Sequence, residues 1–148
     1  MTIEPKLVTK PWGYELWIAD GKRTPYANKK IFFKAGNKTS LQVHQQKFET
    51  NYVLEGTGYL LISEHYFNCN LYLNGNMSPD IVQEEINKMQ RVELYPGVIF
   101  DVSPCHLHRV HATTDLTFIE TSTCELDDVI RLQDDTNRLH GKIDAEHK

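Results

Sequence analysis

The stretch that decides the fold is GNKTSLQVHQQKFETNYVLEG, residues 36–56, which has the spacing G-x5-Q-x-H-x4-E-x6-G. Gln42 and His44 are two residues apart, so on a β-strand both side chains point to the same face. Glu49 follows a short connection over residues 45–48, and a hairpin there brings it back over His44. An amide, an imidazole and a carboxylate that converge in this way form a metal-ligand arrangement.

A second fragment, GVIFDVSPCHLH at residues 97–108, offers a matching ligand. Its proline-led turn fixes where the next strand begins and therefore which way the imidazole of His108 points. His108 is the natural fourth ligand beside the first fragment. If Gln42 does not coordinate, His44, Glu49 and His108 remain as a two-histidine, one-carboxylate set with open positions.

Short apolar or alternating runs, separated by glycine and proline, surround both fragments and predict strands. These runs lie at residues 29–34, 41–44, 52–54, 59–62, 91–94, 98–102, 108–111 and 116–119. Short strands at this spacing are typical of an antiparallel sandwich or barrel, so the predicted fold class is all-β.

Two stretches interrupt the strand pattern. Residues 65–80 are rich in asparagine and are interpreted as an insertion loop between two halves of the domain. Ser78 is expected to cap a short helix that runs to about Met89. Ser122 and Glu125 form a possible capping box that predicts one or two helical turns over residues 127–132, and the polar tail beyond Asn137 is expected to fray.

Composition narrows the class of protein. The chain has 148 residues and a net charge of −4, with 40% hydrophobic and 24% charged residues, as expected for one globular domain. The negative charge and the lack of a basic cluster argue against a nucleic-acid partner. No apolar run has the length of a membrane span, and the first residues do not resemble a signal peptide. Three cysteines without CxxC spacing argue against a disulfide scaffold, so a cytoplasmic location is expected.

The two fragments resemble the two sequence motifs of the cupins, which are small β-barrels that hold one metal ion inside. The resemblance implies a single cupin domain over residues 1–148, a double-stranded β-helix or jelly-roll barrel with a short C-terminal helical tail. The barrel core is expected at about residues 26–121. The segment 1–25 and the tail 122–148 are expected to pack on the barrel or on a partner subunit.

The cupin resemblance also implies a ligand set for one divalent metal ion. These ligand types suit Mn, Fe, Co, Ni or Zn. The implied ligands are Gln42, His44, Glu49 and His108. The second motif departs from the family pattern because Ser103, Cys105 and Ala112 take its proline, glycine and asparagine positions. None of the three is a ligand position, so the departures concern turn geometry more than metal binding.

The likeness narrows to type II mannose-6-phosphate isomerases. The segments that carry it are KPWGYE at 10–15, SLQVH at 40–44, the pair His108-Arg109, and ELDDVIRLQDD at 125–135. In bifunctional enzymes of this group the cupin follows a mannose-1-phosphate guanylyltransferase domain, and the present chain resembles that cupin domain alone. The Q-x-H form belongs to the pattern of this group. The resemblance implies metal-dependent aldose–ketose interconversion of a phosphorylated hexose.

Seven further residues are candidates for the site. The candidates for proton transfer are His106, Glu120 and Lys29, and those for substrate binding are Arg109, Lys34, Trp12 and Tyr14. An inward lysine would supply the cation that a phosphate needs. Each candidate also fits a structural role, such as an ion pair, a solvated strand edge or the docking of the N-terminus, and the sequence does not identify the catalytic base.

Three functions stay open from the sequence. The first is the isomerase, with a sugar phosphate as its small-molecule partner. The second is a sugar or nucleotide-sugar binding module without catalysis. The third is a non-haem iron dioxygenase, because two histidines and one carboxylate also suit Fe(II). A homodimer is expected, because the outer sheet face and the strand edges of a small barrel need cover.

Overall fold

The fold is seen in a computed structural model, which describes residues 2–133. Two antiparallel sheets face each other, with six strands in the order β1-β2-β3-β10-β5-β8 and five in the order β11-β4-β9-β6-β7. The strands are β1 (Lys6–Lys10), β2 (Gly13–Asp20), β3 (Ala27–Phe33), β4 (Leu41–Val43), β5 (Glu49–Glu55), β6 (Gly58–Ile62), β7 (Gln90–Leu94), β8 (Ile99–Val102), β9 (His108–Ala112), β10 (Leu116–Ser122) and β11 (Ile130–Gln133). This arrangement confirms the predicted all-β fold, and each predicted strand overlaps an observed one.

Residues 2–25 are built into one of the two sheets. They contribute β1 and β2, which extend the six-stranded sheet by pairing in series onto β3. Trp12, in the turn between them, is buried and stacks on Phe33 with the ring centroids 4.0 Å apart. The N-terminal segment therefore closes one side of the barrel interior.

The barrel interior has an apolar end and a polar end. The inward-facing residues of the paired strands β3, β10 and β5 are apolar near one end and charged or polar near the other. Near one end, Phe118 of β10 lies between Ile31 and Val53 in the registers with β3 and β5. Two residues further along β10, Glu120 pairs with Lys29 in the same way. The apolar end supplies the main hydrophobic core, and the polar end is where the candidate ligands lie.

The helical turns expected over residues 127–132 do not form in the described part of the chain. Ile130–Gln133 is a strand that pairs with β4 across the sheet edge. Ile130 and Leu132 pack against a second hydrophobic cluster, and this tertiary pairing outweighs the local capping pattern. Ser122 is buried at the end of β10 and donates to the carbonyl of Thr123 instead of capping a helix. The predicted fraying beyond residue 137 lies outside the described residues.

The insertion contains two short helices. The predicted Ser78-capped helix is confirmed as α2 (Pro79–Asn87), in which the Ser78 hydroxyl accepts from the backbone N–H of Ile81. The other helix, α1 (Cys69–Leu73), lies in the stretch expected to be a loop, and Asn68 caps it in the same manner. Within residues 2–133, neither helix combines the length and apolar character needed to cross a bilayer.

Candidate metal centre

Two histidines and one glutamate converge at the polar end of the barrel. His44 directly follows β4, Glu49 is the first residue of β5, and His108 is the first residue of β9. All three are buried, and one ligand atom from each lies within 4.8 Å of the others. The ends of three strands from both sheets thus bring together three of the four residues predicted as ligands.

Backbone carbonyls orient both imidazoles. Nδ1 of His44 donates to the carbonyl of Asp128 at 2.5 Å, and Nδ1 of His108 donates to the carbonyl of His106 at 3.0 Å. Because a carbonyl only accepts, Nδ1 carries the proton and the Nε2 lone pair of each ring is available to a metal ion. Nε2 of His44 is buried without a hydrogen-bond partner in the described part of the chain.

The protonation states fit the same role. Burial lowers the pKa of His44 to about 3, and the nearby His108 and Lys47 act in the same direction. Burial likewise lowers the pKa of His108 to about 4. Both rings are therefore neutral near pH 7, as a metal ligand must be. Two neutral imidazoles and a carboxylate fit a divalent cation, and such an ion would also give the buried Nε2 of His44 a partner.

Gln42 reaches the centre with the nitrogen of its amide. It pairs with His108 between β4 and β9, and its Nε2 lies 3.4 Å from Nε2 of that histidine. Its Oε1 accepts from the hydroxyl of Ser40 at 3.4 Å. Coordination by Gln42 requires its amide oxygen to turn toward the histidines, so its role as a ligand stays a prediction.

Asp128 holds the connection between two of the ligands. Its carboxylate accepts from the backbone N–H groups of Gln45, Gln46 and Lys47 at 2.9, 2.6 and 2.9 Å, while its carbonyl accepts from His44. Burial alone would raise the pKa of Asp128, but these N–H groups hold it below its ordinary value. One residue from the C-terminal segment thus fixes both the His44 ring and the turn that leads to Glu49.

Asp128→Ala is expected to weaken metal binding about 10- to 100-fold, the cost typical of removing a group that orients a metal ligand. The carbonyl that binds His44 remains in this variant, but the turn over residues 45–47 loses its three hydrogen bonds. The measurement is metal affinity by competition with a chromogenic chelator, with the exposed Asp127→Ala as the matched control. Equal affinity in the two variants would show that the Asp128 carboxylate does not organise the centre.

A network of alternating lysines and glutamates continues from the centre into the barrel. Lys47 Nζ lies 3.1 Å from Glu49 and 3.4 Å from Glu120, so it bridges a candidate ligand and a second buried carboxylate. Lys29 Nζ lies 4.0 Å from Glu120 and 3.5 Å from Glu15, which in turn lies 3.8 Å from a third lysine. The six members are Lys10, Glu15, Lys29, Lys47, Glu49 and Glu120. With three charges of each sign, the network is close to neutral.

Glu120 is the network carboxyl most ready to hold a proton. Burial and the charge of neighbouring Glu49 raise its pKa above the ordinary value, against the opposing effect of Lys47. Burial alone would raise the pKa of Glu49, but the charges of Lys47 and Lys29 and the hydrogen bonds with Lys47 and Glu120 together hold it below its ordinary value. Two adjacent carboxyls with opposite shifts form the usual arrangement for acid–base chemistry.

Three small adjoining cavities lie beside the centre and share Glu15 and Gln42 in their linings. The first cavity, of about 60 Å³, extends toward the apolar end of the barrel. The second, of about 70 Å³, is lined by Lys10, Lys29, Lys47 and Arg131 together with carboxylates, and is called the cationic cavity below. The third, of about 60 Å³, joins these two beside Trp12.

The structure brings some of the predicted site residues to these cavities and leaves others outside. Trp12, Lys29 and Glu120 line them, as do the ligands. Four other candidates do not. Tyr14 stacks on Phe32 on the outer sheet face, Lys34 is exposed, Arg109 donates to the Thr39 carbonyl, and the His106 ring donates to the Pro104 carbonyl. His106 acts at the centre through its backbone carbonyl, which orients the His108 ring.

Several lining residues were not singled out from the sequence. They are Lys10, Glu15, Lys47, Asn51 and Arg131. The alternation of buried positions on β2 and β5 was the available signal for Glu15 and Asn51. Lys47 lies in an irregular turn, where no periodicity indicates which way a side chain points.

Cys105 occupies the turn before β9 with φ at +64°, in the left-handed region that favours glycine. The sequence analysis placed Cys105 at the glycine position of the motif that the fragment resembles, and its backbone adopts the conformation that glycine favours. Its backbone N–H donates to the carbonyl of His44 at 2.6 Å. The cysteine therefore ties the turn before His108 to the other histidine through its backbone.

Comparisons with known proteins give fold relatives only. No family model and no curated protein sequence matches the chain. The capsular polysaccharide assembling protein CapF from Staphylococcus aureus has a TM-score of 0.60 and 14% identity, over 89% of this chain and 35% of that one. Bacillus subtilis oxalate decarboxylase, which has Mn(II) centres, has a TM-score of 0.61 and 15% identity, over 88% of this chain and 30% of its own.

An oxalate oxidase has a TM-score of 0.52 and 13% identity, over 73% of this chain and 46% of its own. The chain thus spans about a third of the length of CapF and of the decarboxylase, and under half that of the oxidase. At these identities the likeness concerns three-dimensional structure alone. Together with the two facing antiparallel sheets, it shows that the chain has the cupin fold.

Proposed function

We propose that the chain binds one divalent metal ion at His44, Glu49 and His108 and interconverts the aldose and ketose forms of a phosphorylated hexose. The observation that carries this proposal is the position of the buried Glu120 carboxyl, one lysine away from the ligand Glu49. A metal centre and a carboxyl with a raised pKa then face the same interior space. The motif resemblance to type II mannose-6-phosphate isomerases supports the same reaction.

In this proposal a bound divalent cation supplies Lewis-acid polarisation of a substrate oxygen and stabilises negative charge on it. Glu120 accepts a proton from the carbon that bears the hydroxyl and returns it to the neighbouring carbonyl carbon. The hydroxyl proton moves to the other oxygen, so no atom is gained or lost. Lys47 and Lys29, at 3.4 and 4.0 Å, hold the Glu120 carboxylate in place between these two transfers.

The phosphate is assigned to the cationic cavity. Lysine and arginine side chains line it, and such groups form strong charge-assisted hydrogen bonds with phosphate oxygens. Because this cavity and the first one share Glu15 and Gln42, one ligand can extend from the cations past the metal centre.

A binding module without catalysis is the second candidate function. The observation that favours it is that Glu120 is ion-paired with Lys47 and Lys29, whose positive charges oppose the rise of its pKa and hold its carboxylate in a structural network. A sugar or a nucleotide sugar would then bind without turnover. Because two histidines and one carboxylate also suit Fe(II), the test below includes dioxygenase activity as an outcome.

The test is incubation of the metal-loaded protein with mannose 6-phosphate in deuterated water, followed by NMR. Wild type is expected to form fructose 6-phosphate and to incorporate deuterium at the carbons that exchange protons. Glu120→Gln keeps the shape of the side chain but removes the base, so the rate should fall about 10²- to 10⁴-fold with metal content unchanged. Glu93→Gln, at an exposed carboxylate on β7, is the matched control.

Each other outcome has a meaning. Binding of the sugar phosphate without product or exchange would favour the binding module. Oxygen uptake by the Fe(II)-loaded protein with small organic acids would favour the dioxygenase. Full activity in Glu120→Gln would remove Glu120 from the mechanism.

The homodimer stays a prediction. A cross-strand row on the outer face of the six-stranded sheet supports it, because this row is mostly apolar and runs through every strand. In register order its members are Leu7, Leu16, Lys30, Ile119, Tyr52 and Ile99. Leu7 and Ile99 are more than 60% exposed, which is the kind of surface that a second subunit covers.

A further inference from the structure

We infer that Asn51 forms a subsite for a hydroxyl group, which selects the neutral end of the ligand. The inference rests on the proposed function in one respect, namely that the ligand is a phosphorylated sugar. The Asn51 subsite is the part of the first cavity that Asn51, Phe100 and Phe118 line beside Glu120.

Asn51 is placed in the cavity by the alternation of β5. Glu49, Asn51 and Val53 are the inward residues of this strand, and Asn51 is 1% exposed. In the sheet register it lies directly opposite Glu120 on one side and Phe100 on the other. A group bound by Asn51 therefore lies beside the carboxyl proposed to transfer the proton.

The amide of Asn51 has no partner within residues 2–133. Neither its Nδ2 nor its Oδ1 makes a hydrogen bond, although both atoms are fully buried. A buried amide without a hydrogen bond lowers stability, and buried polar side chains almost always have a partner in the protein, in water or in a ligand. Its presence among aromatic side chains therefore indicates a partner that enters the cavity.

The charges around Asn51 define the chemistry of that partner. The first cavity is lined by Glu15, Glu49 and Glu120, and no lysine or arginine of the described residues joins them. The same three carboxylates also line the cationic cavity, but four cationic side chains join them there, so an anionic group is favoured in the cationic cavity over the first one. An amide offers one donor and one acceptor side, which a hydroxyl group matches and an acceptor-only carboxylate or phosphate does not.

These charges give the ligand a direction. Its phosphate points to the cationic cavity, and a hydroxyl of its neutral end binds Asn51. The cavity volume of about 60 Å³ corresponds to a few water-sized groups, so it admits a short hydroxylated segment. A polyhydroxylated phosphate ester is thereby favoured over a dicarboxylic acid of similar length.

The test compares Asn51→Leu, which has a similar size without polar atoms, with wild type and with the exposed Asn76→Leu. Asn51→Leu should bind mannose 6-phosphate about tenfold more weakly in calorimetric titration. Its affinity for inorganic phosphate, the probe for the cationic cavity alone, should not change. Its melting temperature should be equal or higher, because an unsatisfied buried amide has been removed.

A direct measurement uses the ¹⁵N-labelled full chain. The side-chain amide resonances of Asn51, assigned through its own backbone signals, should shift on addition of mannose or mannose 6-phosphate but not of inorganic phosphate. This measurement stands even if the Asn51→Leu variant does not fold. A shift without isomerisation would keep the subsite and overturn the proposed enzyme.

Two results would overturn the inference. One is that the side-chain amide resonances of Asn51 do not shift on addition of mannose or mannose 6-phosphate at millimolar concentration, with or without metal. This holds whether the protein binds these sugars elsewhere or not at all. The other is unchanged affinity of Asn51→Leu for mannose 6-phosphate. Either result would mean that Asn51 holds an ordered water only.

Discussion

His44→Ala and His108→Ala are expected to purify almost free of metal, whereas wild type retains about one ion per chain. Each substitution removes a neutral imidazole whose Nδ1 is already fixed by a backbone carbonyl. Changes to groups that merely orient a ligand cost about 10- to 100-fold in affinity, so the loss of a ligand itself should exceed this range. The measurement is metal content by elemental analysis after purification without chelator.

Three further variants are expected to differ in how much metal they retain. Gln42→Ala should lose less metal than either histidine variant, because water can replace a neutral amide whose oxygen faces Ser40. Glu49→Gln removes the negative charge of the ligand set and should fall between these or match the histidines. Cys105→Ala should retain metal, since the turn contacts His44 through the Cys105 backbone. Full occupancy in His44→Ala together with loss in Cys105→Ala would mean that the ligand set has been misidentified.

The convergence of the three candidate ligands could be predicted because short-range geometry decides their positions. Two residues on one strand share a face, and a hairpin returns the next strand over the first, so Glu49 must lie near His44. The start of β9 after a proline-led turn similarly placed His108. Such arguments need only strand periodicity and loop length, and the sequence supplies both.

Residues whose positions depend on distant pairings could not be predicted in this way. Asp128 is 84 residues from the His44 ring it orients, and only the pairing of β11 with β4 brings it there. The same pairing with β4 explains why residues 130–133 form a strand, although the local capping pattern predicts helical turns there. Tyr14 and Glu15 show the limit within a single element, since the face of β2 that points inward depends on its register with β3.

Lys47→Met should lower the free energy of unfolding by about 3–5 kcal/mol, the usual cost of leaving buried charges without their partner. Lys47 is 6% exposed and is the nearest cation to both Glu49 and Glu120 among the described residues. The ion pair raises the pKa of Lys47, so the lysine stays charged despite its burial. Lys88→Met, which breaks a surface pair with Glu85 at 3.3 Å, is the control and should cost about 0.5 kcal/mol or less.

The destabilisation by Lys47→Met should depend on pH with a definite sign. Without the lysine, we expect burial to hold the pKa of both carboxyls in the folded protein above their values in the unfolded chain. Stability contributed by a carboxyl with a raised pKa is present at low pH and is lost as the pH rises through the folded-state value. Urea denaturation with chelator present should therefore show a smaller deficit at pH 5 than at pH 8, and a deficit that does not depend on pH would contradict the ion-pair argument.

Lys47→Met should strengthen metal binding although it lowers the stability of the metal-free protein. Lys47 lies 3.1 Å from the carboxylate of a proposed ligand, so its charge repels a divalent cation at the centre while it stabilises the protein without one. Lys47→Met should then bind the metal more tightly than wild type, and added metal should restore part of the lost stability. Chelator competition and urea denaturation with added metal measure the two effects on the same samples. Weaker metal binding in Lys47→Met would mean that the lysine holds Glu49 in its ligand position instead of competing with the ion.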